Sequence, residues 1–428
     1  MSETLVERSN RLLTQGASPG GAGGSRNHPL HAYGVVEEIS DGVASVSSFA
    51  NVAVVDSGDG LVLVDTGGPV GTQVRDLVRS WSTAPVTDAV YTHGHIDHVL
   101  GTDVFDAEAE EAGRHRPRVI AHEAIEPRFE RYCLTAGYNA SINRRQFSDP
   151  DLNWPTRYRY PDDTYAERFD ARVGDLTVQL HHARGETDDH TWVWIPEKRT
   201  LCTGDLFIWC VPNAGNPQKV QRYARDWAVA LRTMAALSPE VLLPGHGLPI
   251  VGEAFVQAAL IDTADLLDSL VDQTLALMNA GAMLDEVLHT VAVPEHLTSQ
   301  AYLQPVYDEP EFVVRNIWRL YGGWYDGNPA RLKPAPDAVV AAELARLAGG
   351  AGVLAERAQA VAADGDVRLA GHLIELAGLA APDDPGVHRV RAELLQQRAL
   401  GETSLMAKAI YGAAARDSTA LVEAAHGD

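Results

Sequence analysis

From Gly34 to about residue 252 the chain runs in short apolar segments broken by turn residues, and beyond that point apolar residues recur at helical spacing. Residues 43–48, 51–55 and 61–65 read as strands, with the DSGDG run at 56–60 as a turn between the last two. Helical spacing covers 70–81, and a strand follows at 86–91. Further strands are predicted at 119–121, 176–182, 191–195 and 241–243, which makes this region α/β.

After Gly252 the strand signal ends. Residues 254–278 form one long helical run, 311–321 a second closed by Gly322 and Gly323, and Ala-rich helices are predicted at 337–348, 353–363, 367–380 and 387–399. The Gly/Ser-rich run at 16–27 cannot bury apolar surface. Three parts are therefore expected: a flexible tail over 1–30, an α/β domain over 31–252 and an all-α domain over 253–428.

Hydrophobic residues make up 45% and charged residues 22%, enough for a large core. Lys and Arg number 35 against 58 Asp and Glu, a formal net charge of −23. Such a field argues against nucleic acid or an anionic membrane surface as partner, and a small anionic substrate needs a local exception to it. Cys133, Cys202 and Cys210 are odd in number and lack CxxC spacing, so neither a disulfide framework nor an all-cysteine zinc site is expected. The first residues lack the apolar core of a secretion signal, and the expected compartment is the cytoplasm. No stretch approaches the roughly 18 apolar residues of a membrane span.

The strongest chemical signal is Thr92-His93-Gly94-His95-Ile96-Asp97-His98, directly after the 86–91 strand. A strand end followed by a Gly-containing turn can aim several side chains into one pocket. Imidazole nitrogens and carboxylate oxygens are the ligands that zinc and similar dications accept.

This H-x-H-x-D-H pattern resembles the metallo-β-lactamase superfamily, and three further motifs agree in order: VDTGG at 64–68, TGDLF at 203–207 and LLPGHG at 242–247. The resemblance implies an αββα sandwich followed here by the all-α domain. It also implies two zinc ions per chain, one on His93 and His95, the other on Asp97, His98 and His246, with Asp205 bridging. The remaining ligand falls in Arg184-Gly185-Glu186-Thr187-Asp188-Asp189-His190, where Glu186 occupies the position usually held by histidine; His190 and His182 are the competing candidates.

A carboxylate at that position is found in the alkyl sulfatase branch of the superfamily. The run YDEPEFVVRNIWRLYGGWYDGNPARL at 307–332 is also similar to the opening of the alkyl sulfatase dimerisation domain, which implies a homodimer. Trp318, Tyr321, Trp324 and Tyr325 within it are expected to pack. Two departures argue against long alkyl sulfates: Asp205 stands where alkyl sulfatases tend to have Glu, and the chain ends at Asp428 without room for their sterol-carrier-like domain.

The implied activity is a metallo-hydrolase cleaving a sulfate ester, the alternative being a thioester, lactone or phosphodiester. Dications lower the pKa of water to about 7, which provides the nucleophile, and Asp97 would orient or deprotonate that water. Two dications outweigh the three carboxylates around them, so a small anion can be received there. Lys219 and Arg222 are candidate contacts to that anion, on a helix expected to start at Pro217.

Overall fold

The computed structural model describes residues 3–15, 28, 31–69 and 71–427. By packing, the chain divides into one unit of Met1–Asn139 with Asn153–Gly323, and another of Ala140–Leu152 with Trp324–Asp428.

Two sheets organise the first unit. The seven-stranded sheet runs in sequence order through β1 (Val35–Ser40), β2 (Val43–Ser47), β3 (Val52–Asp56), β4 (Leu61–Val64), β5 (Val86–Val90), β6 (Arg118–His122) and β7 (Asp163–Tyr165). Its first four strands pair antiparallel; β4 to β7 pair parallel. The six-stranded sheet contains β8 (Arg168–Val173), β9 (Leu176–His182), β10 (Thr191–Ile195), β11 (Thr200–Ile208), β12 (Val241–His246) and β13 (Ile250–Val251), again in sequence order. Only β11 and β12 are parallel in it.

The two-residue period of a strand decides which side chains meet. In β4, Val62 and Val64 face the second sheet and pack with Val178, Leu180, Val193 and Leu243, while Leu61 and Leu63 face outward against Val74 and Val78 of the helix Gly71–Trp81. Trp192, Leu201 and Leu242 cover the opposite face of the second sheet and meet the helices Ala224–Ala235 and Glu253–Asn279. Helix, sheet, sheet, helix is thus the layer order, the αββα sandwich expected.

Strands do stop at residue 252, but the first unit continues to Gly323. The helices Glu253–Asn279 and Pro310–Gly322 bury Leu260, Leu267, Val313 and Ile317 in the core over the second sheet, so they act as its outer layer. At the other end, the helix Leu5–Gln15 lies within the segment expected to be a tail. Leu5 joins the same core, and the Glu37 carboxylate accepts from the Leu5 amide (2.5 Å) and the Val6 amide (3.3 Å), satisfying free donors at the helix start. The Gly/Ser-rich run 16–27 lies outside the described residues.

In the second unit the predicted helices form at Asp337–Ala348, Ala351–Ala363, Val367–Ala380 and Pro385–Gly401, and Leu405–Gly427 adds another. Asp366 and Asp384 cap two of them by accepting from amides of the first turn. Small residues (Ala355, Ala358, Ala377) let these helices approach closely around Leu354 and Ile374. Of the aromatics expected to pack, Trp318 lies against the core, whereas Tyr321 and Trp324 are 50% and 68% exposed. Among the described residues no single helix is long and apolar enough to cross a membrane.

Candidate metal centre

Strand β5 ends at Val90 and delivers Thr92, His93, Gly94 and His95 to one edge of the sandwich; the short helix Ile96–Val99 then carries Asp97 and His98. Gly94 leaves room for Arg128, whose Cδ would lie 2.7 Å from a Cβ at that position. Glu186 arrives from the loop between β9 and β10, Asp205 from within β11, and His246 from the last residue of β12.

Ligand-type atoms of His93, His95, Glu186 and Asp205 lie within 4.8 Å of one another, and those of Asp97, His98 and His246 form a second such group. Glu186 Oε2 is 3.6 Å from both His93 Nε2 and His95 Nδ1. Asp205 faces both groups: Oδ1 is 3.4 Å from His98 Nε2, and Oδ2 is 3.5 Å from His246 Nε2 and 3.9 Å from His93 Nε2. His246 Nε2 is also 3.4 Å from Asp97. The structure thus brings together all seven residues that the motifs single out.

His190 and His182 stay outside both groups. The His190 ring stacks on His93 at 4.5 Å, its Nε2 donates to the Thr203 carbonyl at 3.2 Å, and burial pushes it down to about 4. His182 stacks on His122 at 3.7 Å.

A metal fits this donor set. His98 Nε2, Glu186 Oε2 and Asp205 Oδ1 are buried without a hydrogen bond, a costly arrangement for converging lone pairs unless a cation is shared among them. The electrostatics divide the histidines: His93 and His95 are held neutral, whereas at His98 and His246 burial is overcome by the surrounding carboxylates, which favour a positive charge. Burial holds His93 and His95 well below the usual imidazole range, in the neutral form that coordinates. Burial opposes protonation of His246 too, yet Asp205 and Asp97 raise it to about 10. Burial would raise the Asp97 carboxyl, but His98 and His246 bring it down to about 2.

The surrounding shell orients these groups. Asp65, at the end of β4, accepts from the Thr92 amide (2.7 Å), the Thr92 hydroxyl (2.8 Å) and His98 Nδ1 (2.7 Å). The Phe49 carbonyl accepts from His246 Nδ1 at 2.6 Å. Around Glu186, Arg222 donates to Oε1 at 2.5 Å and Asn213 donates to the same oxygen. Burial, with Asp205 nearby, lifts the Glu186 carboxyl to about 7 even so.

Residues 214–223 contain no helix, and the expected start at Pro217 gives way to one at Ala224. The backbone groups there are committed elsewhere: the Gly215 amide donates to Asp308 at 2.6 Å, Asn316 donates to the Ala214 carbonyl at 2.6 Å, and the Tyr223 amide donates to the Gly185 carbonyl at 3.0 Å. Arg222 is 3% exposed and grips Glu186 and the Asn213 carbonyl. Lys219 is half-buried with Nζ 5.6 Å from the centre of the Trp154 ring. Trp209 belongs to the core, its Nε1 bonded to the Leu248 carbonyl.

Sequence reasoning missed Asn213, Asp308 and Asn316 because their partners are backbone groups or distant side chains. Only the 307–332 motif, which contains the last two, hinted at them.

Comparison with known proteins matches residues 47–246 to the metallo-β-lactamase superfamily and residues 283–420 to the alkyl sulfatase dimerisation family. The chain thus carries a metallo-β-lactamase domain followed by an alkyl sulfatase dimerisation domain, and its similarity to alkylsulfatases supports the alkyl sulfatase-like branch. It is 28% identical to a linear primary-alkylsulfatase of Pseudomonas sp. over 74% of this chain and 63% of that one. An (R)-specific secondary-alkylsulfatase of Pseudomonas sp. is 25% identical over 81% of this chain and 57% of its own length. The solved structure of a stereoselective inverting sec-alkylsulfatase from Pseudomonas sp. superposes with a TM-score of 0.80 at 22% identity, covering 92% of this chain and 66% of that one. The chain therefore spans about three-fifths of the length of the curated relatives it matches.

Proposed function

We propose that this protein is a metal-dependent hydrolase that cleaves a sulfate ester to an alcohol and hydrogen sulfate. The observation that carries the reading is Glu186: a carboxylate completes the His93–His95 group in a chain whose curated relatives are named alkylsulfatases. His93, His95 and Glu186 would hold one zinc ion, Asp97, His98 and His246 another, and Asp205 would bridge. When bound, two such ions act as Lewis acids that acidify water and neutralise charge on the substrate oxygens.

The residues themselves divide the remaining work. His95 and Asp97 are 20% and 22% exposed at their side chains, against 0% for His93 and His98, so the cluster opens toward solvent on their side. Asp97 would orient a water there or accept its proton. Lys219 supplies a cation toward the ester's anionic end. Arg222 and Asn213 hold Glu186 Oε1 and so aim Oε2 at His93 and His95. Cys133, Cys202 and Cys210 are all unpaired, which supports a reducing compartment such as the cytoplasm. The 283–420 segment supports a homodimer.

A panel of sulfate, phosphate, thioester and lactone substrates, run beside metal analysis, tests the reading. About two zinc ions per chain and turnover confined to sulfate esters are expected, with one zinc and the turnover lost in His93→Ala. Absence of bound metal, or preferential turnover of another ester class, sinks it.

A further inference from the structure

Two ligand-bearing segments from different sheets are stitched together residue by residue. The Thr191 amide donates to the Thr92 carbonyl at 2.6 Å, His190 stacks on His93 at 4.5 Å, and Asp189 Oδ2 accepts from the Gly94 amide at 2.8 Å. Thr92, His93 and Gly94, after β5, thus meet Thr191, His190 and Asp189, at the entry to β10, in opposite directions. The last rung is the one nearest His95 on one strand of this ladder and nearest Glu186 on the other.

That rung is a buried ion pair. Asp189 is 1% exposed and Arg128 3%. Arg128, on the helix Ile125–Leu134, reaches Asp189 Oδ1 through Nε at 2.7 Å and also pairs with Asp188. Its stem packs where a Gly94 side chain would otherwise be. Their partners are each other, Asp188 and the Gly94 amide rather than a ligand atom. Burial of both is costly, and a buried pair of this kind is better attested as a device for fixing one arrangement than as a source of stability.

We infer that Arg128 and Asp189 are positioning residues that set the register between the His93–His95 turn and Glu186, and so shape one half of the metal centre selectively. In the other half, His98 and His246 are oriented instead by Asp65 and the Phe49 carbonyl. The inference rests on the two-metal reading above.

The test is titration of metal-free full-length protein with zinc and with cobalt, whose absorption bands report the ligand sphere. Wild-type protein should bind two equivalents; if it binds none, the two-metal reading itself fails. Given two, Asp189→Asn and Arg128→Gln should each weaken one equivalent by about 10–100-fold, alter its cobalt bands and leave the other unchanged. Asp188→Asn removes only the half-exposed partner and should bind both metals as wild type does. Unchanged binding in both Asp189→Asn and Arg128→Gln overturns the inference, and so does equal weakening of the two equivalents. If one variant does not fold, the other decides.

Discussion

His98 Nδ1 lies 2.7 Å from Asp65 Oδ2, so the ring is turned with Nε2 toward Asp97 and Asp205. A carboxylate behind an imidazole fixes its tautomer and raises its strength as a ligand. Asp65→Asn should therefore weaken one metal equivalent by about 10–100-fold in a zinc titration. Asp65 also sits at φ +62°, a conformation that Asn tolerates and Ala does not. Asp65→Ala should accordingly melt at a lower temperature than Asp65→Asn, a difference that calorimetry reads directly.

Loop 213–222 is held by the helix Pro310–Gly322, and Gly215 is the closest point. A Cβ on Gly215 would lie 2.1 Å from the Val313 nitrogen and 2.2 Å from the Phe312 carbonyl carbon, both backbone atoms that cannot rotate away. Gly215→Ala should cost about 1–3 kcal/mol by chemical denaturation, as overpacking does, and lower metal affinity through the displaced Asn213 and Arg222.

Asp308, fully buried beside that glycine, titrates abnormally. Burial raises its carboxyl to about 7, against the amides of Gly215 and Glu309, which favour the charged form. A carboxyl raised on folding adds stability that is complete below its unfolded value near 4 and lost as pH rises toward 7. Asp308→Asn cannot ionise. Its melting temperature relative to wild type should rise between about pH 4 and 7 and level off above, in a thermal series on metal-free protein.

Lys219 bears on substrate affinity. Burial lowers its ammonium to about 8, with Arg222 adding to the effect. If it meets the sulfate, KM for a sulfate ester should rise above about pH 8 as the charge is lost. Lys219→Arg should abolish that rise, and Lys219→Met should show a high KM throughout, with metal content and melting temperature close to wild type. A flat KM profile in wild type would remove Lys219 from the substrate site.

What could be read from the chain depended on how local each signal was. His93, His95, Asp97 and His98 lie within six positions after a strand, Asp205 lies within β11, and His246 closes β12. Their convergence follows from strand ends meeting at one edge, so motif reading alone gathers them. Arg128 and Asp189 left no such trace, because a buried ion pair between a helix and a distant loop has no periodicity or spacing. Pro217 misled for a related reason: its residue type suits a helix start, but Asp308 and Asn316 take the neighbouring backbone groups first. In the N-terminal segment, the glycines at 16–27 obscured the amphipathic run just before them.

Each proposed metal draws on both sheets: His93 and His95 need Glu186, and Asp97 and His98 need His246. A nascent chain that has emerged only as far as β7 carries four of the ligands but can close neither group. The second group waits for β12, whose final residue is His246. Uptake of the proposed ions would therefore come late in the protein's biogenesis and would mark chains whose two sheets have already joined.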